Sequence, residues 1–503
     1  MVLAADAELE EMVITASAGL KTTRLEAPAT VTVIDAQEQS KYQMAADVGE
    51  LIADAPGVNV SSQSNGSRGV RIRGMSNEYT QVLLNGRRSY TKEALWRGSD
   101  NALSLTPSIA IDSIEVIRGP MSTLYGADTM GGVVNVKTRK HSGVAEGAVS
   151  VEGQHNQGDE NGNGQVYGVY YSAPATESLS YTVYGNYLDV DESFYDDHPD
   201  ATKHRSQENY NLVNRFDVAL DEQNSLDLEI QLSEENQTGT SLFRGRSYEQ
   251  ERALNRYTLG YGYQSATAEA DAHVYYSDFD VDYDTPASDI TETDYGSDAQ
   301  AVFFIEDHTV TVGAEARNAE IENTRIAGGS TDRTSSAAFV ETTLALADTT
   351  KLTLGGRFDH DTLFDDEYTY RGYLTQSLTD SWSLKAGAST AFKAPTMAQI
   401  SPSYSAPGCA GRCSVNGNPD LNAETGTFSE LGAYYANGAT SASATLFYNE
   451  VDDIIRMATN PSPTNDDVSF INVDEATLKG VELSVKQQFA KMDLDLSYTY
   501  LDA

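Results

Sequence analysis

From about residue 141 onward, this chain consists of segments in which apolar and polar residues alternate. Each segment places Leu, Val, Ala or aromatic side chains on one face and Thr, Ser, Asp or Lys on the other. Clear examples are Tyr181–Tyr187, Leu352–Phe358, Ala442–Tyr448, Val481–Val485 and Leu494–Tyr500. Many such strands, separated by polar loops, predict either a soluble β-sandwich or a barrel whose outer face meets lipid.

Three features favour a transmembrane antiparallel β-barrel over the sandwich. The segments approach the roughly 9–11 residues that a barrel strand needs to cross a bilayer, and the loops between them are of unequal length. Tyr is abundant, with 29 residues against 2 Trp, as expected where aromatic girdles mark both membrane interfaces. The mean hydropathy of −0.42 does not exclude the barrel, because alternation cancels in an average.

The net charge of −41 argues against a nucleic-acid partner, which would require a basic face. Many acidic residues fall in expected loops, for example Asp189–Asp200 and Asp278–Asp294. A solvated, salt-screened surface is the simpler interpretation, and cation binding by these loops stays open. We assign no metal site.

The two cysteines, Cys409 and Cys413, lie in the Gly- and Pro-rich segment APGCAGRCSVNGNPD. Their spacing favours a small loop-closing disulfide and an oxidising compartment. A zinc site would need more ligands, and no histidine follows His360.

The sequence divides into three expected regions. Residues 1–20 form an acidic leader, residues 21–140 a compact α+β domain, and residues 141–503 the barrel domain. The best helical candidate is Ala45–Ile52, which would end before Pro56. Leu3–Ala7 resembles the small-residue end of a signal peptide. The chain stops just after the predicted strand Leu494–Tyr500, so we expect the barrel to be incomplete at its C-terminus.

The compact domain contains short β-type runs separated by Gly-bearing turns. The runs are Val70–Arg73, Gln81–Leu84, Ile114–Arg118 and Val133–Lys137. Five motifs occur here in a fixed order: Arg71–Gly74, Leu84–Gly86, Ile114–Pro120, Leu124–Gly126 and Gly131–Val136. In this order they resemble the plug domain of TonB-dependent outer-membrane receptors, especially the group that contains catecholate-siderophore receptors and the colicin I receptor.

The resemblance continues into the barrel domain, through Ala391–Pro395, Gly417–Leu421, Ala423–Thr425 and Glu430–Gly432. It implies a 22-stranded barrel, truncated here, with the plug domain in its lumen. It also implies TonB-driven import of a ferric siderophore, with no permanently bound cofactor. The implied partners are TonB with its inner-membrane energising complex, outer-membrane lipid and possible bacteriocins or phages.

The leader segment Glu11, Met12, Val13, Ile14, Thr15 and Ala16 is similar to a TonB box. Such a short extended segment is suited to adding a strand to the sheet edge of a partner. A disordered leader that contains Val, Ile and Thr by chance is the alternative.

The resemblance also implies an ionic latch between plug and barrel. Its members would be Arg73 and Arg118 in the plug, and Glu430 and Glu482 on barrel strands. Bidentate, partly buried pairs of this kind are strong, and removal of one member leaves an unpaired charge. Separate solvated surface charges are the alternative.

Residues 68–97 contain seven basic and two acidic residues, a local excess of five positive charges. The resemblance implies that the loops after Gly74 and Gly86 point into an extracellular vestibule. There Arg and Trp side chains could pair with and stack on an anionic ferric catecholate. Pairing with wall carboxylates is the alternative for these arginines. The candidate ligand contacts are Arg68, Arg87, Arg88, Trp96 and Arg97, together with Tyr404 and Arg412 from the cysteine loop.

Other transport substrates and classes are less well supported. Haem uptake would require an axial ligand, yet no histidine precedes His141 and none lies between Pro395 and Asn418. Cobalamin or another chelate stays open. The sequence contains neither a nucleophile elbow nor a phosphate-binding glycine loop, so we expect no enzyme activity. A passive porin would need neither a plug nor a TonB box.

Overall fold

The computed structural model describes residues 12–13, 16, 22–36, 47–62, 68–88, 103–155, 162–195, 197–240, 247–284, 287–408, 413–459, 468–473, 475–490 and 492–503. In this part of the chain, no helix is long and apolar enough to cross a membrane.

The N-terminal domain is a small mixed sheet with short helices. Its strands are β1 (Met12–Val13), β2 (Thr22–Thr23), β3 (Thr30–Asp35), β4 (Val58–Ser62), β5 (Arg68–Ile72), β6 (Thr80–Leu84), β7 (Arg87–Arg88), β8 (Ile111–Arg118) and β9 (Gly132–Thr138). The central sheet has the order β3-β8-β9-β6-β7, in which β6 and β9 run parallel. The four predicted runs lie in strands of this domain, except that β5 ends at Ile72, one residue before the predicted end at Arg73.

Helix α1 (Val48–Ile52) packs into the core of this domain, and α2 (Ser122–Tyr125) follows β8. Asp47 caps α1, because its carboxylate accepts a hydrogen bond from the Glu50 amide at 3.1 Å. The predicted helix Ala45–Ile52 is therefore present from Val48, and residues 45 and 46 lie outside the described ranges.

The remaining elements build the wall and its loops. They are β10 (Glu146–Gln154), β11 (Gly164–Pro174), β12 (Leu179–Val190), β13 (Ser193–Tyr195), β14 (His198–His204), β15 (Ser206–Ala219), β16 (Asn224–Thr240), β17 (Ser247–Gln264), β18 (Ala268–Asp284), β19 (Ala287–Ile305), β20 (His308–Asn323), β21 (Ser330–Ala347), β22 (Thr350–Asp361), β23 (Glu367–Thr379), β24 (Trp382–Lys393), α3 (Met397–Ile400), β25 (Ser405–Gly408), β26 (Cys413–Asn416), β27 (Glu424–Asn437), β28 (Thr440–Asp452), β29 (Ile454–Thr459), β30 (Val468–Val473), β31 (Ala476–Phe489) and β32 (Met492–Asp502).

Seventeen of these strands form one antiparallel sheet, which begins at β10 and ends at β32. Short turns join the strands at one rim, the turn end. Most connections at the other rim, the loop end, are longer, although only two residues join β18 to β19; there β25, β26, β30 and β29 form a separate small sheet. Within the described residues, the edge strands β10 and β32 do not pair with each other.

The side-chain pattern of the wall decides between barrel and sandwich. On β16, Leu228 and Leu232 face outward and are 39% and 37% exposed, whereas Glu229 and Glu235 face inward and are 7% and 1% exposed. A soluble sandwich would bury the leucines and expose the carboxylates. The wall is therefore apolar outside and polar inside, as in a transmembrane barrel.

The N-terminal domain lies inside this wall. It contacts strands on opposite sides of the bore: Arg73 binds Glu482 of β31, and the Ser104 hydroxyl donates to Glu235 of β16. The expected plug within a barrel is confirmed. The 22-strand count and the domain boundaries at residues 20 and 140 stay predictions.

Candidate functional site: the plug–wall interface

Arg73 is the centre of the contact between plug and wall. It follows β5 in a left-handed conformation, with φ of 52°, before Gly74. Its Nε and Nη2 donate to Glu482 Oε1 and Oε2 at 3.1 and 2.9 Å, and its Nη1 donates to Glu430 Oε2 at 3.1 Å. The guanidinium also lies 4.5 Å from the Phe447 ring centre. One buried arginine thus joins two wall strands.

Arg118 approaches the same carboxylates more weakly. Its Nε lies 3.9 Å from Glu482 Oε2, while its Nη1 donates to the Pro56 carbonyl at 2.7 Å. Burial acts to lower the pKa of both arginines. For Arg73, the carboxylates of Glu482 and Glu430 more than offset this effect, so its pKa is raised. For Arg118 the pKa is lowered, and the nearby positive charge of Arg73 contributes to that shift. The structure brings all four predicted latch residues together, but with unequal roles.

Three neutral side chains also belong to this cluster, and none of them was predicted from the sequence. The hydroxyls of Thr30 and Tyr373 donate to Glu430 Oε1, and Thr30 Oγ1 lies 2.6 Å from the Tyr434 hydroxyl. Hydroxyl donors of this kind satisfy the carboxylate lone pairs that accept no hydrogen bond from an arginine. The inward register of Tyr373 on β23 and Tyr434 on β27 was the available signal, but a plug partner such as Thr30 could not be inferred from it.

A second contact lies nearer the loop end. The Tyr79 hydroxyl donates to Glu424 Oε2 at 2.5 Å, and Lys393 Nζ lies 3.0 Å from Glu424 Oε1 and 3.5 Å from Glu78 Oε2. Burial and Glu424 raise the pKa of Tyr79. Lys393 and Glu424 belong to motifs that carried the family resemblance, although no role was predicted for either.

The TonB-box-like segment is held at the turn end. Met12 pairs with Thr23 and Val13 with Thr22, so β1 adds a strand to β2. The Ala16 carbonyl accepts a hydrogen bond from Arg371 Nη2 at 3.1 Å. Glu11, Ile14 and Thr15 lie outside the described residues.

Two wall cations hold the stretch that follows this segment, and we term this pair, Arg371 and Lys385, the carbonyl clamp. Lys385 Nζ donates to the carbonyls of Arg24 and Ala29 at 2.8 and 3.1 Å. Arg371 Nη2 also reaches the Pro28 carbonyl at 3.4 Å. Because a backbone carbonyl is present at every residue, sequence motifs gave no indication of this contact.

The expected vestibule position is wrong for Arg87. Both of its carboxylate contacts are to Asp227, at 3.1 Å, and Asp227 lies near the start of β16 at the turn end. The alternative interpretation, pairing with a wall carboxylate, therefore holds for this residue.

Arg68 and Arg88 are likewise engaged within the protein. Arg68 Nη1 binds Asp47 at 2.6 Å and Glu50 at 3.2 Å, which raise its pKa against the lowering effect of burial. Arg88 donates to the Tyr125 carbonyl and to Gln81. Neither contact supports the expected role in ligand binding.

The cysteine loop is described only in part. Tyr404 is 2% exposed and packs in an apolar cluster with Ile326 and Met397, so it is not placed as a ligand contact. Cys413 is disulfide-bonded, and Cys409, the other cysteine of the chain, lies outside the described residues. Arg412, Trp96 and Arg97 also lie outside them and stay predictions.

A cavity of about 1760 Å³ separates the plug from the wall between β12 and β22. It extends from Asp221 and Asn224 at the turn end to Asp361 and Phe364 at the loop end. Both cationic and anionic side chains line the cavity, for example Arg256 and Asp298. Part of the plug surface is therefore separated from the wall by a cavity lined with charged and apolar side chains.

Comparison with known proteins agrees with this architecture. A family model for the TonB dependent receptor-like β-barrel matches residues 150–503, and one for the TonB-dependent receptor plug domain matches residues 23–133. The chain belongs to the TonB-dependent receptors. It is thus an outer-membrane receptor of Gram-negative type and not an enzyme.

Several relatives of this receptor have names that refer to iron. The iron-regulated outer membrane virulence protein of Vibrio cholerae serotype O1 is 30% identical over 98% of this chain and 78% of its own length. The ferrienterobactin receptor of Escherichia coli K12 is 26% identical over 92% and 74%. A solved structure of a variant of the Pseudomonas aeruginosa ferric enterobactin receptor, in complex with enterobactin, covers 95% of this chain and 81% of its own, with a TM-score of 0.85 and 23% identity.

Proposed function

We propose that this receptor binds a ferric siderophore of the catecholate class at the loop end and imports it with energy from TonB. The single observation that carries the coupling part of this proposal is the position of the TonB-box-like strand. It pairs weakly, through two residues, at the turn end. TonB could replace β2 as the pairing partner by strand addition.

A pull on this strand has a direct mechanical connection to the plug. The segment continues past Ala16 and the carbonyl clamp to β3, and Thr30 of β3 contacts both Glu430 and Tyr434 of the wall. Tight binding at the outer face alone moves nothing inward, so the pull must favour a different arrangement of the plug. In this proposal, the clamp and the Arg73 cluster keep the plug in place until that pull arrives.

The names of the relatives favour iron chelates of the enterobactin type as substrates. Arginine suits an anionic, aromatic chelate, because its guanidinium can pair with the chelate oxygens and stack on the rings. Trp96 and Arg97 stay the candidate contacts for it. Bacteriocins or phages could use the same outer loops as a docking surface.

Uptake of radiolabelled iron tests the proposal. Cells that express the receptor should accumulate ferric enterobactin, and a matched strain without TonB should retain surface binding but lose accumulation. Ferric hydroxamate, haem and cobalamin serve as parallel substrates. Accumulation that is independent of TonB would indicate a pore, and preferential uptake of haem or cobalamin would reject the catecholate assignment.

A further inference from the structure

Three potential metal ligands converge on the inner face of the wall near the turn end. Asp271 and His273 lie on β18, and Asp298 lies on β19, where it is the cross-strand partner of His273. One ligand atom from each residue lies within 4.8 Å of the other two. We infer that Asp271, His273 and Asp298 form a binding site for a divalent transition-metal ion.

The hydrogen bonds around this site orient its ligands. His273 Nδ1 lies 2.9 Å from Asp298 Oδ2 and 4.0 Å from Asp271 Oδ2. Gln300 donates to Asp271 Oδ1 at 3.0 Å, which leaves Oδ2 directed toward the histidine. Support of a ligating carboxylate by an outer hydrogen bond is a general feature of protein metal sites.

The two carboxylates of the site, Asp271 and Asp298, have no lysine or arginine of the described ranges within ion-pair distance, and their salt-bridge partner is His273. A neutral imidazole can satisfy only one of two carboxylates by donation. A divalent cation would neutralise both carboxylates and accept the Nδ1 lone pair.

The site is open to the bore. All three side chains and Gln300 line the cavity between plug and wall. Asp271 and Asp298 are 42% and 41% exposed, while His273 is 11% exposed. An ion could thus enter from the cavity and retain water in its remaining coordination positions.

The donor set indicates the class of ion. One imidazole nitrogen with two carboxylates suits Zn²⁺ or Mn²⁺ better than Ca²⁺, which prefers six to eight oxygen ligands. The inference concerns this wall site alone and is independent of the proposed siderophore transport.

Calorimetric titration of the untagged full chain with Zn²⁺ in detergent tests the inference. We expect one bound ion per chain, and substitutions H273A and D298N should each weaken binding by at least ~10-fold. Ca²⁺ should bind more weakly than Zn²⁺. Circular dichroism and an unchanged thermal unfolding profile would show that the variants are folded, and D271N offers a third, nearly isosteric change.

His360 provides a matched control. Its Nδ1 lies 2.6 Å from Asp366 Oδ1, and it lies outside the three-ligand group. H360A should leave Zn²⁺ binding unchanged. The inference is overturned if the wild-type chain binds no Zn²⁺, if H273A and D298N bind as the wild type does, or if H360A weakens binding as strongly as H273A.

Discussion

At the scale of single residues, the plug is held by buried ion pairs, and removal of one partner from such a pair is strongly destabilising. Arg73 is 3% exposed and holds two carboxylates, whereas Arg118, equally buried, has a backbone carbonyl as its nearest acceptor. The resemblance to the family supplied the four charged members of this cluster. It could not supply their ranking, which depends on the left-handed turn at Arg73.

We expect Arg73→Ala to destabilise the seated plug by about 3–5 kcal/mol, because Glu482 and Glu430 would stay buried without their cation. Arg118→Ala should cost only about 1–3 kcal/mol, the cost of leaving a buried acceptor such as the Pro56 carbonyl unsatisfied. Urea unfolding, followed by a fluorophore on a cysteine introduced at Ser113, measures both variants. Equal losses would show that the two arginines are equivalent.

Gly57 tests the packing around the same carboxylate. It has φ of +71°, and a Cβ there would collide with Glu482 Oε1. Gly86 has φ of +83° but nothing within 4 Å of the position of a Cβ. Gly86→Ala should thus cost only backbone strain of about 1–2 kcal/mol, and Gly57→Ala should cost clearly more in the same unfolding assay. A similar cost for both would mean that Glu482 can move aside.

Two arginines of the plug can distinguish a ligand contact from a contact with the wall. Arg97→Ala should weaken binding of a ferric catecholate, because it removes the cation that we propose pairs with the chelate oxygens. Arg87→Ala should leave affinity unchanged, since Arg87 binds Asp227 near the turn end. Quenching of intrinsic tryptophan fluorescence gives both affinities. Unchanged affinity for the Arg97 variant would remove that residue from the site.

At the scale of elements, the alternating pattern predicted strands well and their lengths poorly. The segment Leu352–Phe358 lies within β22, and Tyr181–Tyr187 lies within β12. Some wall strands are much longer, up to the 19 residues of β19. These strands are longer than a bilayer requires, and the local alternating pattern does not encode the additional length.

The N-terminal segment is the element on which the proposed coupling depends, and the carbonyl clamp holds it against the wall. Lys385→Met would leave the Arg24 and Ala29 carbonyls without their donor, at a cost of about 1–3 kcal/mol. Amide hydrogen exchange in residues 22–30 should accelerate by about 5- to 150-fold, the same energy expressed as an opening equilibrium.

The control for this experiment is Lys351→Met. Lys351 pairs with Glu26 of the same segment at 3.1 Å, but both side chains are more than a third exposed. Exposed pairs contribute little, so exchange should hardly change. If the two variants behaved alike, the clamp would have no special role.

At the scale of the whole molecule, the plug contacts the wall unevenly: on the β12 to β22 side a cavity interrupts contacts such as those of Ser104 and Arg87 with β16. The Arg73 cluster and the carbonyl clamp lie on strands β23 to β31, while the cavity lies between β12 and β22. Sequence reasoning predicted a plug inside a barrel, but not this asymmetry. The asymmetry arises from pairings between residues up to about 400 positions apart, which single-sequence patterns do not reveal.

If transport requires the plug to leave wall strands β23 to β31, a covalent bridge to those strands must block it. Thr30 of the plug and Tyr434 of the wall are in direct hydrogen-bond contact. Cysteines at both positions, joined by a short thiol-reactive linker, should leave siderophore binding unchanged and abolish TonB-dependent uptake, and a cleavable linker should allow its recovery. The control joins Tyr434 to Thr445, its neighbour on the adjacent wall strand. That bridge stiffens the wall without tying the plug, so uptake should persist. Continued uptake through the plug–wall bridge would mean that the chelate passes along the existing cavity while β3 stays in place.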